Sequence, residues 1–246
     1  MVAPDGYDDP ATFFAEMSQA LAVDHDVEST LERIAHQALK VVPNAEFCAI
    51  TVRRRRGRLV TLAQTDELAL SLDELQYALG EGPCMSSAVV GEPFLVHSTA
   101  YDTRWPKWGP GAADLGVHSV VCAQLSAASL HPDRDPLGAV NIYCRTTDAF
   151  DEADAERLRL YGVHAGNALS IAHLVSTLEE AVEGRHEIGV AQGVLMARYD
   201  LDRERAFESL RRYSSHANVK LRDVAGLVID EGGLPTTYDD LGPIGT

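Results

Sequence analysis

The sequence predicts an α+β or α/β layer around a mainly antiparallel sheet, followed by a long helix and three short ones. Three observations carry this. About five apolar, β-rich runs fall between residues 46 and 143, with turn residues separating them. Stretches of helical periodicity precede, interrupt and follow those runs. After Asp151 no strand pattern returns.

Taken in order, residues 1–9 are acidic, contain Gly and Pro, and are expected to fray. A helix should start near Pro10, with Phe13, Phe14, Met17, Leu21 and Val23 as its apolar stripe. A second runs from about Val27. Its Leu31, Ile34, Ala35, Ala38 and Leu39 repeat at helical spacing, and Pro43 closes it. Glu46 to Arg53 and Leu59 to Gln64 form a hairpin around the turn Arg54-Arg55-Arg56-Gly57. Arginine at 53, 54, 55 and 56 could contact nucleic acid. In so acidic a chain the favoured reading is a solvated tip that balances nearby acids. Asp66 to Leu79 reads as a helix. Gly80-Glu81-Gly82-Pro83-Cys84 is a tight turn whose proline starts another helix through Val90. Phe94 to Val96 is a short strand, and Asp102 to Pro106 opens a loop and short helix ending near Gly116. Ser119 to Leu125 and Leu137 to Tyr143 are the last two strands, joined by the polar loop His131–Pro136.

The long helix begins at Asp151, reaches about Glu183, and has two apolar lines. Leu158, Tyr161, Ala165, Ala168, Ala172 and Val175 form one, expected to cover the sheet. Leu160, His164, Ile171, Leu174, Leu178 and Ala181 form the other, free to meet a second chain as a short, Ala-rich and therefore weak coiled coil. Gly184 marks the joint to three short helices. The first spans Gly184 to Tyr199, with Ile188, Ala191, Leu195 and Met196 inward and Gly189 and Gly193 permitting close packing. Asp202 should cap the second, whose Phe207 and Leu210 face a core. Residues 231–246, acidic and rich in Gly and Pro, are expected to be a disordered tail.

The formal net charge of −16 opposes a general nucleic-acid coat function, because phosphate binding needs a basic surface. The charge is uneven, however. Residues 184–230 hold eight Lys and Arg against seven Asp and Glu, so nearly all the negative charge lies elsewhere. Cys48, Cys84, Cys122 and Cys144 form no C-x-x-C pair and read as buried thiols. With no signal-peptide pattern at the start and no apolar run of spanning length, the protein is expected to be cytoplasmic and without a membrane segment.

No positioned catalytic set is visible. There is no phosphate-binding glycine loop, no H-E-x-x-H, no G-x-S-x-G elbow, and the acid pairs lie in the tails. The expectation is a non-enzyme without metal or cofactor. The best candidate ligand site is the turn at Cys84 together with Trp105, Trp108 and His118, where aromatics on a loop could roof a cavity. Equally, these tryptophans could simply close the core. At a helix start the Cys84 thiol would be acidified and reactive.

Residues 10–175 resemble a GAF sensory domain. The matching pieces are Leu-Gly-Glu-Gly-Pro-Cys at 79–84, Asp-Thr-Arg-Trp-Pro at 102–106 and Leu-Gly-Val-His-Ser-Val at 115–120. Residues 184–230 resemble an ANTAR domain, through Ile188-Gly189, Ala191, Gly193, Leu195-Met196, Ala206-Phe207, Leu210-Arg211, Ser214, Asn218, Lys220-Leu221 and Val224-Ala225. The chain is thus similar to GAF-ANTAR transcription antitermination regulators of actinobacterial type. The resemblance implies an α+β sensor with a small-molecule ligand, its last helix extending as a connector to about 183. It also implies a three-helix module that binds hairpin loops of nascent RNA as a homodimer, in the context of RNA polymerase. Arg211, Arg212, Ser214, Asn218, Lys220 and Arg222, around the joint of the last two helices, are the expected RNA contacts. Gln192 stands where the ANTAR pattern usually has Lys, which predicts weaker binding and a salt dependence flatter by about one charge. Two other readings remain: a DNA-binding regulator, and a ligand sensor acting through protein contacts.

Overall fold

A computed structural model of the chain describes residues 15, 17–19, 21, 26–127 and 136–234. The chain divides into two compact units, Met1–Val175 and Ser176–Thr246.

The first unit is built on five antiparallel strands: β1 (Phe47–Arg53), β2 (Leu59–Gln64), β3 (Phe94–Val96), β4 (Ser119–Leu125) and β5 (Gly138–Cys144). Their order across the sheet is β2-β1-β5-β4-β3. Side chains alternate across a strand, so each strand feeds two cores. On one face Cys48, Ile50, Val121, Ala123, Val140 and Ile142 are buried beneath α1 (Val27–Val41) and the start of α5 (Glu152–Tyr199). Helix α1 is capped by Asp26, whose carboxylate accepts from Ser29 N at 2.8 Å. On the other face Phe47, Ala49, Val120, Cys122, Ala139 and Tyr143 pack under α2 (Glu67–Leu79), α3 (Pro83–Val90) and α4 (Trp108–Asp114). The architecture is therefore three layers, helix on sheet on helix, and α+β in class.

Helix α5 lies very close to the end of β4. A Cβ placed on Gly162 would stand 2.2 Å from Gln124 O, and one on Gly166 2.4 Å from Ser126 O. Only glycine allows this approach. The Tyr161 hydroxyl donates to Ile34 O at 2.6 Å and fastens α5 to α1. The two lines expected on α5 separate only in part. Leu158, Tyr161, Ala165 and Ala172 are buried and Ile171, Leu174 and Leu178 are about half exposed, but Leu160 and His164 of the second line are half-buried, and His164 Nδ1 lies 2.9 Å from Ser18 Oγ.

Gly184 does not end this helix, which runs unbroken to Tyr199. The residue is buried, and a Cβ there would meet only Arg222 Cβ at 3.7 Å. Glycine lowers helix propensity by about 1 kcal/mol against Ala, too little by itself to break a long helix. The second unit adds α6 (Arg203–Ala217) and α7 (Leu221–Glu231). Ala191, Leu195, Ala206, Leu210, Tyr213, Val224, Ala225 and Val228 form its core. Asp202 caps α6 as expected, accepting from Arg205 N at 2.8 Å. Four residues depart from expectation. Met196 and Phe207 are more than one-third exposed, and Gly189 and Gly193 have nothing within 4 Å of a Cβ, so among the described residues they serve no close packing. Of the helix expected from Pro10, Met17 and Leu21 are buried. Its other apolar residues Phe13, Phe14 and Val23, most of the loop at 131–136 and the tail beyond 234 lie outside the described residues.

Candidate functional site

The Gly-Glu-Gly-Pro-Cys turn is a brace between three helices. Glu81 Oε1 accepts from Lys107 N at 2.6 Å and Trp108 N at 3.0 Å, which satisfies two free N–H groups at the start of α4. Those two bonds, Trp108 foremost, hold the Glu81 carboxyl below its usual range. Gly82 has φ +150°, and a Cβ on it would fall 2.1 Å from Gln76 Oε1. That oxygen in turn accepts from Cys84 N at 2.8 Å and binds the first turn of α3 to α2.

The four residues proposed as a ligand pocket do not enclose one. Trp108 and Cys84 have no exposed surface and Trp105 only 5%. The two indoles meet edge to face at 6.4 Å. Their N–H groups are satisfied by Ser86 Oγ at 3.1 Å and Leu72 O at 3.2 Å. Arg104 is locked in two bonds to the Asp102 carboxylate and lies 4.7 Å over the Trp105 ring. His118 is half-buried at the entry to β4, outside this cluster. Of the two readings, the tryptophans close the core. Cys84 does sit at the start of a helix, but burial dominates and pushes its thiol up, away from the thiolate. It donates to Thr51 Oγ1 at 3.1 Å instead.

That hydrogen bond leads to a group the sequence did not announce. Asp73, on α2, is completely buried. Its Oδ2 accepts from Thr51 at 3.0 Å and Thr61 at 2.7 Å. Its Oδ1 accepts from Tyr143 OH at 2.5 Å, Asn141 Nδ2 at 3.1 Å and Gln76 Nε2 at 3.3 Å. A β-bulge makes this possible. Pairing between β1 and β2 slips after Ile50, so that Thr51 stands opposite Thr61 rather than Leu62, and both hydroxyls reach the same carboxyl. Among the described residues no cation belongs to the group. Burial therefore drives the Asp73 pKa up, against the pull of its hydrogen bonds. Asn141 Oδ1 is buried beside it with no donor. The Tyr77 hydroxyl touches Thr51 and Thr61 at 3.0 and 2.8 Å. Its side chain then extends to a separate cavity of about 400 Å³ between the β1–β2 turn and helices α2 and α3.

In the second unit the expected contact residues divide. Arg211 and Arg212, with Ser215 and His216, surround a shallow depression near the end of α6. Arg211 also pairs with Glu208 at 2.7 Å, but both are largely exposed, so the pair is weak and easily exchanged. Ser214 and Asn218 instead build the α6–α7 joint. The Ser214 hydroxyl donates to Val219 O at 2.7 Å, and Asn218 ends α6 in the left-handed conformation at φ 54°. Lys220 stands at the N-cap of α7 with no side-chain capping bond. Arg222 reaches Glu180 at 3.5 Å and Asp223 at 3.4 Å. Gln192 lies apart from them, in a second depression with Arg203, Glu204 and Phe207, and donates to Arg203 O at 3.1 Å. Ser215 was not among the expected contacts; one residue after Ser214, it lies about 100° further around α6 and lines the depression with Arg211 and Arg212.

Among the described residues no group of His, Cys, Asp and Glu is arranged to hold a metal ion, and no helix is long and apolar enough to cross a membrane. No curated protein matches the sequence. Solved structures share the fold at low identity. The GAF domain of a phosphoenolpyruvate-protein phosphotransferase from Coxiella burnetii is 14% identical, with a TM-score of 0.52 over 68% of this chain and 96% of that one. A free methionine-R-sulfoxide reductase from Neisseria meningitidis, in complex with its substrate, is 14% identical, with a TM-score of 0.50 over 70% and 98%. A bacteriophytochrome from R. palustris is 9% identical, with a TM-score of 0.55 over 78% of this chain; the chain spans only 43% of that protein. The family models are more specific: one for the GAF domain matches residues 24–170 and one for the ANTAR domain matches residues 176–229. The chain belongs to the GAF family and carries an ANTAR domain directly after its GAF domain, the architecture of a GAF-ANTAR regulator.

Proposed function

We propose that this regulator binds hairpin loops in nascent RNA through residues 176–229 and acts as a transcription antiterminator under the control of its GAF domain. The observation that carries the reading is the cluster of Arg211, Arg212, Ser215 and His216 on an exposed helix end. It lies in a near-neutral part of an otherwise strongly acidic chain. Guanidinium groups can fork onto phosphates or stack on unpaired bases, and the serine hydroxyl can read a base edge. Lys220 and Arg222 extend the basic surface past the joint that Ser214 and Asn218 shape. Gln192 contributes at a second point, with less pull on phosphate than a lysine. The exposed line Ile171, Leu174, Leu178 and Val182 on α5 is suited to pairing with a second copy, so that two weakly binding modules gain from effective concentration.

Duplex DNA is the less suitable partner. A reading helix needs several polar side chains along one face, whereas α7 buries Val224, Ala225 and Val228 and exposes Leu227. Gel shifts with a hairpin RNA and a duplex DNA of equal charge test this. The RNA should bind more tightly, and Arg211→Ala with Arg212→Ala should weaken it and flatten the salt slope by about two charges. Equal affinity for both nucleic acids, or unchanged RNA affinity in the double variant, would count against the reading. A monomer in sedimentation with and without RNA would remove the pairing step.

A further inference from the structure

The cavity of about 400 Å³ under the β1–β2 turn is distinct from the place where the sequence suggested a ligand. Its walls have two characters. Leu59, Tyr77, Met85, Ala88 and Val89 supply an apolar surface, and Val89 at the rim is 72% exposed. Arg53 and Arg58 stand on the side of the turn. The turn was expected to balance nearby acids. Among the described residues, no carboxylate pairs with Arg54, Arg56 or Arg58. Arg54, Arg56 and Arg58, without a carboxylate partner among the described residues and on one edge of a chain with net charge −16, leave room for an anion that comes from outside it.

We propose that this cavity binds a small amphipathic carboxylate, with its head on Arg58 and its aliphatic chain along Leu59, Met85 and Val89. A guanidinium fork matches a planar carboxylate. A flexible thioether and aliphatic neighbours suit an alkyl chain better than a base, because no amide or carboxylate lines the cavity to read hydrogen-bonding edges. The volume lies within the range of small-molecule sites. The occupant would lie against Tyr77, whose hydroxyl bridges Thr51 and Thr61 and so adjoins the buried Asp73. Binding itself does not depend on the RNA reading. Only the consequence, a signal passed from Tyr77 into the sheet, rests on the GAF domain being the controlling element.

Calorimetric titration of the full chain with sodium octanoate tests the proposal, with octanol and vesicles of anionic phospholipid as the other arms. Octanoate should saturate at one per chain and bind at least tenfold more tightly than octanol. Arg58→Glu and Val89→Asp, both at exposed positions, should each weaken it at least tenfold while leaving the ligand-free melting temperature unchanged. Arg159→Gln, on α5, should leave it unaltered. Absence of saturable octanoate binding overturns the proposal. So does equal binding of octanol, insensitivity to Arg58→Glu, or binding to vesicles without binding of monomeric octanoate. Octanoate that binds as expected but leaves RNA affinity unchanged would instead count against the controlling role.

Discussion

The two faces of one sheet make different use of alternate residues in the same strands. Toward α1 and α5, β1 and β5 present Cys48, Ile50, Val140 and Ile142, and the interface is apolar. Toward α2, α3 and α4 the intervening positions include Thr51, Asn141 and Tyr143, and a carboxyl group is buried among them. The first face can only hold helices to the sheet. The second holds them and also carries a polar network that ends, through Tyr77, at the wall of a cavity. Apolar contact is insensitive to direction and charge, whereas a satisfied buried network has one arrangement and is disturbed by small changes. The difference leads to the expectation that one face serves adhesion and the other responds to small changes.

The largest effects should separate the faces by kind rather than size. Leu158→Ala, on the apolar side, should destabilise by about 2–5 kcal/mol through lost burial and a cavity. Asp73→Ala should cost about 3 kcal/mol, because it strands the buried donors of Tyr143, Asn141, Gln76 and two threonines. Urea unfolding across pH distinguishes them. The Leu158→Ala loss should be constant from pH 4.5 to 8, and the Asp73→Ala loss should vary. Identical pH profiles would mean that the second face is merely another core.

Next in size is the helix approach on the apolar side. Gly162→Ala forces a Cβ toward Gln124 O and should destabilise by about 1–3 kcal/mol or more, read as a lower melting temperature. Wild-type stability in that variant would show that α5 can move off the sheet freely, contrary to a face that acts by rigid adhesion.

A smaller effect isolates the charge. Burial raises the Asp73 pKa above the usual carboxylate value of 3.8. The folded chain thus holds this proton more tightly than the unfolded chain. Its contribution is fully present below the unfolded pKa and is lost as pH rises through the folded pKa. Asp73→Asn keeps an acceptor for Tyr143 and cannot ionise, and the threonine hydroxyls can turn to accept. Relative to the variant, the wild type should therefore lose stability as pH rises from the carboxylate range. A constant difference between the two would show that Asp73 does not titrate in this way.

How much of this was legible depends on how local its cause is. Strand alternation, the Asp202 cap and the apolar spacing along α5 depend on neighbours a few residues away, and the fold follows from them. The candidate sites depend on distant partners. Asp73 sits in Glu-Leu-Ala-Leu-Ser-Leu-Asp-Glu, where one more acid on an amphipathic helix reads as surface. It is buried because β1, β2 and β5 bring two threonines, an asparagine and a tyrosine to one point. For Cys84 both the helix start and the buried thiol are readable, but that burial outweighs the helix start depends on distant partners such as Thr51. In the terminal unit Ser214 and Asn218 lay in the right stretch, yet their hydrogen bonds and backbone assign them to shaping the joint.

The smallest expected effect extends the comparison along α5, from the glycines pressed on the sheet to those that touch nothing. Gly189→Ala adds a methyl into open space and improves helix propensity, so the isolated chain should gain up to about 1 kcal/mol. The sign is informative. If a second copy packs closely where Gly189 and Gly193 lie, the same methyl meets the partner and the gain disappears on association. Measuring the melting temperature at low and high protein concentration reads both cases. A gain independent of concentration would mean that these glycines serve no close contact, leaving any pairing to the larger residues from Ile171 to Val182. A gain lost as concentration rises would make α5 adhesive on two sides, through glycine each time: once to its own sheet and once to its counterpart.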